Sequence, residues 1–224
     1  MASRVISADP YELEFDLKTA ALLIIDMQRD FVEPGGFGES LGNDVSILRK
    51  AIAPTKLVLE ACRKLGVMVV HTREGHRPDL TDCPPSKMAR GRPKRKIGDD
   101  GAMGRLLVRG AKGHDIVPEL YPVSGEVVID KPGKGAFYAT DLELILRNAN
   151  IKTLIVCGVT TEVCVNTSVR EANDRGFNCV VLEDCVGSYF PEFQSAGLAM
   201  IKAQGGIFGW VSNSKNALQA LTNS

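Results

Sequence analysis

The chain has no surplus of charge of either sign. Lys plus Arg number 27, Asp plus Glu number 27, and the formal net charge at pH 7 is zero. That balance argues against a dedicated nucleic-acid surface and against an electrostatic membrane anchor. Long hydrophobic runs are missing too. Stretches such as Ala20–Ile25 are far shorter than the roughly 20 apolar residues a membrane-spanning helix needs. The first ten residues, Met1 to Pro10, contain no apolar core of the kind a secretory leader carries, so the expected location is the cytoplasm. None of the six cysteines, at 62, 83, 157, 164, 179 and 185, falls in a Cys-x-x-Cys pair. The three histidines, His71, His76 and His114, are not at ligand spacing to them, so neither a zinc site nor a disulfide framework is expected. In a reducing compartment these are thiols, and most read as core filler.

What is present is ordinary globular composition: 224 residues, 44% apolar and 24% charged. The length fits one α/β domain over residues 1–224, with a core that needs no staples. Six short runs rich in Val and Ile read as strands: Ala21–Ile25, Val67–His71, Glu126–Asp130, Thr153–Cys157, Asn178–Leu182 and Ile207–Val211. They are nearly continuous rather than alternating, the pattern of strands buried on both faces of a parallel sheet. Helical patterns lie between several of them. One opens with Pro54 at its first position, covers Thr55–Lys64 and stops at Gly66. Thr140-Asp141-Leu142-Glu143 has the form of a capping box for a helix ending near Asn150. Others run from about Thr161 to before Gly176, and from about Glu192 to Gln204, ahead of Gly205-Gly206. This alternation predicts a three-layer, doubly wound, mostly parallel six-stranded sheet with helices on both faces.

The stretch from Arg73 to Gly125 breaks the alternation. Its basic centre, Arg90, Arg92, Lys94, Arg95 and Lys96, reads as a solvated loop, with short helices expected around Gly101–Arg109 and Asp115–Leu120. A connection this long inside a domain is usually functional or interfacial.

Open α/β sheets bind ligands beyond the carboxyl ends of their strands. Asp26 ends the first strand, Lys131 follows the third, and Cys164 lies just past the fourth. Each alone is weak, because Asp and Lys often end strands and a cysteine there is more often core. Their coincidence is the signal. With Thr161 as N-cap, Cys164 falls at the third position of a helix, where unpaired N–H groups and the dipole favour a thiolate. Those N–H groups, with that of Thr160, suit an oxyanion. Other chemistries lack their motifs. Asp26-Met27-Gln28-Arg29 after the first strand is not a dinucleotide-binding turn, and Gly133-Lys134-Gly135 is not a phosphate-binding loop.

Three segments then resemble one family. Ile24-Ile25-Asp26-Met27-Gln28-Arg29-Asp30-Phe31, Asp130-Lys131-Pro132 with Ala136-Phe137, and Gly158-Val159-Thr160-Thr161-Glu162-Val163-Cys164-Val165 are similar, in this order, to the isochorismatase-like cysteine hydrolases. The resemblance spans about Ala20 to Ser214. It implies a catalytic triad of Asp26, Lys131 and Cys164, an oxyanion hole from the N–H groups of Thr160 and Cys164, and a cis peptide between Val159 and Thr160. It implies no cofactor. The Asp/His/His metal pattern of the nicotinamidase branch is not found in His71–Asp79, so no metal is expected. Cys164 favours acyl transfer from an amide over the ether cleavage of the isochorismatases proper.

The segments His71–Leu80, Ile116–Tyr121, Lys131–Gly135, Arg170–Gly176 and Gln204–Gly209 look most like the ureide amidohydrolases, biuret hydrolases above all. That branch implies substrate contacts from Lys134 and Gln204, a small neutral ureide as substrate, and a homo-oligomer such as a tetramer. Triuret and ureidoacrylate remain open as substrates, and an isochorismatase activity or a non-catalytic binding role on the same fold is the more distant alternative. Read without the resemblance, Gln204 ends a helix and Lys134 is a loop lysine.

Overall fold

The computed structural model describes residues 3–89 and 95–222. A central sheet of six parallel strands carries the fold: β1 (Ala20–Ile25), β2 (Met68–Glu74), β3 (Val127–Lys131), β4 (Thr153–Val159), β5 (Asn178–Gly187) and β6 (Trp210–Ser212). Their order is β6-β5-β4-β1-β2-β3. The chain runs outward from β1 to β3, returns to β4 beside β1, and runs outward again. The order therefore reverses between β1 and β4, the position where doubly wound sheets place their ligand crevice.

Strand residues alternate between faces. Every residue of β1 is buried, so both faces must be covered. Leu22, Ile24, Ile155, Cys157, Val180 and Leu182 pack on one side with Val58, Leu59 and Cys62 of α1 (Ile52–Leu65). On the other, Leu23, Ile25, Leu154, Val156 and Val181 meet Leu142 and Leu146 of α2 (Leu142–Asn148), Val169 of α3 (Asn166–Asp174) and Ile201 of α4 (Pro191–Gly206). A last helix, α5 (Ser214–Thr222), joins the first side through Ala217, Ala220 and Leu221. This is the three-layer α/β architecture the apolar runs predicted.

Several local expectations need correction. Pro54 is the third residue of α1, not the first; Gly66 does end the helix, at φ 68°. The capping box does not form. Thr140 Oγ1 donates to Ala136 O at 2.7 Å and accepts weakly from Leu142 N at 3.4 Å, while Glu143 turns to Arg175. Residues 101–109 are not helical. They hold a two-residue ladder, Asp100–Gly101 against Gly104–Arg105, turned by Gly104 at φ 94°. Within 115–120 only Pro118–Leu120 forms a single 3-10 turn. An antiparallel pair not expected from sequence, Ser3–Ile6 with Leu13–Asp16, precedes β1.

The long connection after β2 has a small core of its own. Cys83, Ile97 and Leu107 pack with Phe31, Phe37, Leu80 and Met88. Arg90, Arg92 and Lys94 of the basic centre lie outside the described residues.

Candidate active site

The strand ends at the reversal point bring the three singled-out side chains together. Asp26 leaves β1 at φ 50°, an uncommon conformation for a residue other than glycine. It is held by its own N–H, which donates to Thr72 Oγ1 at 3.2 Å, and by Thr72 Oγ1, which donates to Asp26 Oδ1 at 2.6 Å. Lys131, the last residue of β3, is fully buried and pairs with Asp26 Oδ2 at 2.7 Å. It also donates to Gly133 O at 3.0 Å and Lys134 O at 2.8 Å, so the loop wraps its own ammonium. Burial works to lower the Lys131 pKa. Asp26, Cys164 and Glu74 more than offset it, and the group is held above the ordinary lysine range as a cation.

Cys164 does not sit at the third position of an α-helix. Thr160 is the N-cap, and Thr161–Val165 form a π turn ahead of α3, with the Val165 N–H reaching Thr160 O at 3.2 Å. The bond between Val159 and Thr160 is cis. Cys164 is 5% exposed. Burial pushes its thiol up strongly, and Lys131 lowers it less than burial raises it, so the resting sulfur is a thiol. Burial decides this, with Asp26 and Glu74 adding to it.

The hydrogen-bond acceptor of that thiol is a residue sequence reasoning missed. Cys164 Sγ donates to Glu74 Oε2 at 3.5 Å. Glu74 is fully buried at the end of β2 and takes two ammonium groups on Oε1, Lys134 at 2.6 Å and Lys87 at 3.2 Å. Burial alone would raise its pKa; Lys134, Lys131 and Lys87 outweigh that and hold it at about 2. Its backbone is pinned by the buried Gln28, whose Nε2 donates to Glu74 O at 2.9 Å and whose Oε1 accepts from Glu74 N at 2.7 Å. Lys87 comes from the short helix Pro85–Ala89 and also donates to Pro132 O and to His76 Nε2, both at 2.9 Å. A lysine ammonium has no acceptor, so Nε2 of His76 is unprotonated and Nδ1 carries the hydrogen facing Asp82 Oδ1 at 3.2 Å. Burial and Lys87 both keep that imidazole neutral.

Donor atoms of Asp26, Glu74 and Cys164 lie within 4.8 Å of one another, a spacing that suits a metal ion. The ammonium groups of Lys131, Lys134 and Lys87 already stand on the two carboxylates, so positive charge at this point comes from side chains of the chain itself. A cavity of about 180 Å³ opens over the sulfur. Phe31, Phe37, Leu41 and Tyr189 give it apolar walls, and Glu74, Lys134, Thr160 and Cys164 give it polar ones. A larger cavity of about 740 Å³ shares Lys134 and Phe37 with it and is lined further by Lys87, Ser86 and Tyr138.

Lys134 thus lies at the cleft, 43% exposed. Gln204 does not. It sits in the non-helical kink at the end of α4, at φ 52°, exposed and away from the residues lining the cleft over Cys164.

This arrangement fits the comparisons with known proteins. The isochorismatase domain model matches residues 20–215, and the chain belongs to the isochorismatase-like family of hydrolases. Among solved structures it is similar to an isochorismatase family protein from Desulfovibrio vulgaris, with 28% identity over 92% of this chain and 99% of that one, at a TM-score of 0.74. The N-carbamoylsarcosine amidase of Thermoplasma acidophilum matches at 25% identity over 88% and 96% of the two chains, TM-score 0.64. A cysteine hydrolase from Pseudomonas syringae shares the fold at 24% identity, 92% and 94% coverage and TM-score 0.74. The family's members are hydrolases, amidases among them. No helix among the described residues is long and apolar enough to cross a membrane.

Proposed function

We propose that the chain is an amidohydrolase that cleaves a terminal C–N bond of a small linear ureide, with biuret as substrate and allophanate and ammonia as products. The observation that carries this reading is the buried Cys164 sulfur, set against two carboxylates and the Lys131 ammonium under a cavity of about 180 Å³. Biuret is planar, neutral and rich in amide donors and acceptors. A few fixed polar groups between apolar walls suit it better than a large apolar pocket.

In this mechanism Cys164 attacks the terminal carbamoyl carbon as Asp26 takes the S–H proton and passes it to the departing nitrogen. The tetrahedral oxygen is stabilised by the N–H groups of Thr160 and Cys164, and one such donor is typically worth ~10²–10³ in rate. The C–N bond breaks and the nitrogen departs, protonated, as ammonia. Asp26, the carboxylate singled out by its strand end, takes a proton from water as the hydroxide adds to the thioester carbon. Allophanate leaves and the proton returns to sulfur. Lys131 holds the negative charge of Asp26 and of the transient thiolate in place, and Lys134 orients a substrate carbonyl.

The adjoining cavity of about 740 Å³, with Lys134 and Lys87 on its wall, supports a second reading in which the ureide carries a carboxylate, as ureidoacrylate does. Gln204 contacts substrate, in our reading, only across a homo-oligomeric interface, because in its own chain it stands away from the cleft. The test is ammonia release by wild type and Cys164→Ala from biuret, triuret, ureidoacrylate and nicotinamide at matched concentrations. Cys164-dependent release led by biuret is expected. A lead by ureidoacrylate selects the second reading, and full activity in Cys164→Ala sinks the mechanism.

A further inference from the structure

The cavity over the sulfur has walls of opposite hydrogen-bonding character. Lys134 lines it as a donor: its ammonium, 43% exposed, spends one hydrogen on Glu74 Oε1 and has others to give. Tyr189 and Glu162 line the same cavity from other parts of the chain. Tyr189 Oη donates its only hydrogen to Phe31 O at 2.6 Å. Lone pairs are all that remain on that oxygen, so toward a ligand it is an acceptor. Gly38 admits the phenol, because a Cβ there would strike Tyr189 Oη. Burial and then the charge of Glu162 push the phenol above the ordinary tyrosine range, so its hydrogen stays in that bond.

Glu162 is the second residue of the π turn Thr161–Val165, two residues ahead of Cys164. An ionised carboxylate has acceptors only. Its Oε2 is buried and has no hydrogen-bond partner among the described residues. A buried polar atom left in that state costs free energy, and a donor arriving with a ligand removes the cost. The charge of Glu162 acts on the Tyr189 phenol more strongly than that of Asp30 does, so the two acceptors are neighbours.

We infer that Tyr189 and Glu162 form an acceptor wall that selects ureides whose end remote from the scissile bond is an uncharged carbamoyl group, its N–H bonds on these two side chains and its carbonyl on Lys134. The inference rests on the amidohydrolase reading above and narrows its substrate class. A carbamoyl group carries a carbonyl oxygen and N–H donors on one planar unit, which is the pattern the two walls ask for. A ureide ending in a carboxylate brings acceptors alone to that end. Lys134 would receive it, but Tyr189 would gain no donor and Glu162 would repel it, at a cost that grows as the local dielectric falls. Selection therefore works by mismatch as well as by contact. Biuret and triuret satisfy the pattern, and ureidoacrylate does not.

The experiment compares wild type, Glu162→Gln and Tyr189→Phe by two readouts. The first is the ratio of kcat/KM for biuret to kcat/KM for ureidoacrylate, which a purely structural role would leave alone. The second is the Kd of biuret in a Cys164→Ala background by titration calorimetry, which needs no turnover. Glu162→Gln keeps the shape, removes the charge and adds a donor, so the ratio should fall by ~10–100-fold, the usual worth of a hydrogen bond to a charged group. The loss should appear in KM for biuret more than in kcat, with a matching rise in Kd. Tyr189→Phe removes a neutral acceptor and should lower the ratio by about threefold to tenfold. A ratio within threefold of wild type in Glu162→Gln overturns the inference even where both activities drop, because Glu162 would then act only through the turn that carries Cys164. A wild type that prefers ureidoacrylate to biuret overturns it too, while leaving the amidohydrolase reading intact. If wild type releases no ammonia from any ureide, that reading fails and the Kd values decide alone. At least tenfold weaker biuret binding in Glu162→Gln then supports the acceptor wall, and equal binding or none in the Cys164→Ala parent overturns it.

Discussion

Replacing Lys131 by methionine keeps the length and most of the bulk of the side chain and removes only its ammonium. In the wild type that ammonium is fully buried, pairs with Asp26 at 2.7 Å, and satisfies the carbonyls of Gly133 and Lys134. After the exchange Asp26 is a buried carboxylate whose remaining side-chain donor is Thr72. Breaking one partner out of a buried pair costs about 3–5 kcal/mol, because the other charge stays behind. Two carbonyls that lose a donor add about 1–3 kcal/mol each where they remain dry. These terms are not additive, so the expected loss is at least about 4 kcal/mol, a large part of the stability of a domain this size. The assay is urea unfolding followed by far-UV circular dichroism, with the midpoint read at unchanged slope. The double variant Asp26→Asn/Lys131→Met removes both charges and should recover about half of the loss. A single variant within about 1 kcal/mol of wild type would refute the claim that this pair is dry and mutually dependent, and with it the electrostatic account of the site.

Other expectations follow from the same geometry. Glu74 is held at about 2 against an ordinary value of 4.5, so its contribution is complete above pH 4.5 and is lost as pH falls from there toward 2; by linkage it is worth about 3 kcal/mol. His114 is lowered from 6.5 to about 4, chiefly by burial, so the unfolded chain binds its proton first and stability falls as pH drops from 6.5 toward 4. Urea midpoints at pH 7, 5.5 and 4 should therefore decline in sequence, and a flat profile contradicts both assignments. Gly158 has φ 118°, and a Cβ there would strike the Ile25 backbone, so Gly158→Ala should cost at least about 2 kcal/mol and separate β1 from β4 at the site; a thermal midpoint unchanged from wild type argues against that register. If Gln204 serves a neighbour's cleft, mixing Gln204→Ala with Cys164→Ala chains should restore activity that neither has alone. No recovery in mixed oligomers removes Gln204 from the site.

Much of the architecture was legible because burial on both sheet faces leaves a simple trace. Five of the six strands appear in the sequence as apolar runs rich in Val, Ile and Leu, with boundaries that differ by a few residues, whereas β6 (Trp210–Ser212) shares only Trp210 and Val211 with the expected Ile207–Val211, because Ile207 still caps the preceding helix. β2 is the instructive case. The apolar run stops near His71, but the strand continues through Thr72 and Arg73 to Glu74. Alternation along that extension puts Thr72 and Glu74 on one face, with Thr72 on Asp26 and Glu74 on Cys164. That was the available signal for Glu74, and it is faint, because a polar residue after an apolar run looks like the start of a loop. The helix expected over residues 101–109 failed for a related reason. Gly101 and Gly104 there serve a tight turn, Leu107 takes φ 51°, and Leu107 packs with Phe31, Phe37 and Leu80, distant in sequence.

The sequence by itself determined a doubly wound, mostly parallel sheet and which side chains would arrive at one edge of it: Asp26 from β1, Lys131 from β3 and Cys164 beyond β4. Those follow from period and spacing, which are local properties of the chain. Only the tertiary structure decided the chemical state of that cluster. The thiol faces Glu74, not an open helix end, and Lys87 enters from 13 residues beyond Glu74 to share its carboxylate with Lys134. The reason is physical. Charge pairing and desolvation act over a few ångströms between groups far apart along the chain, and no hydrophobic period records which of them will meet.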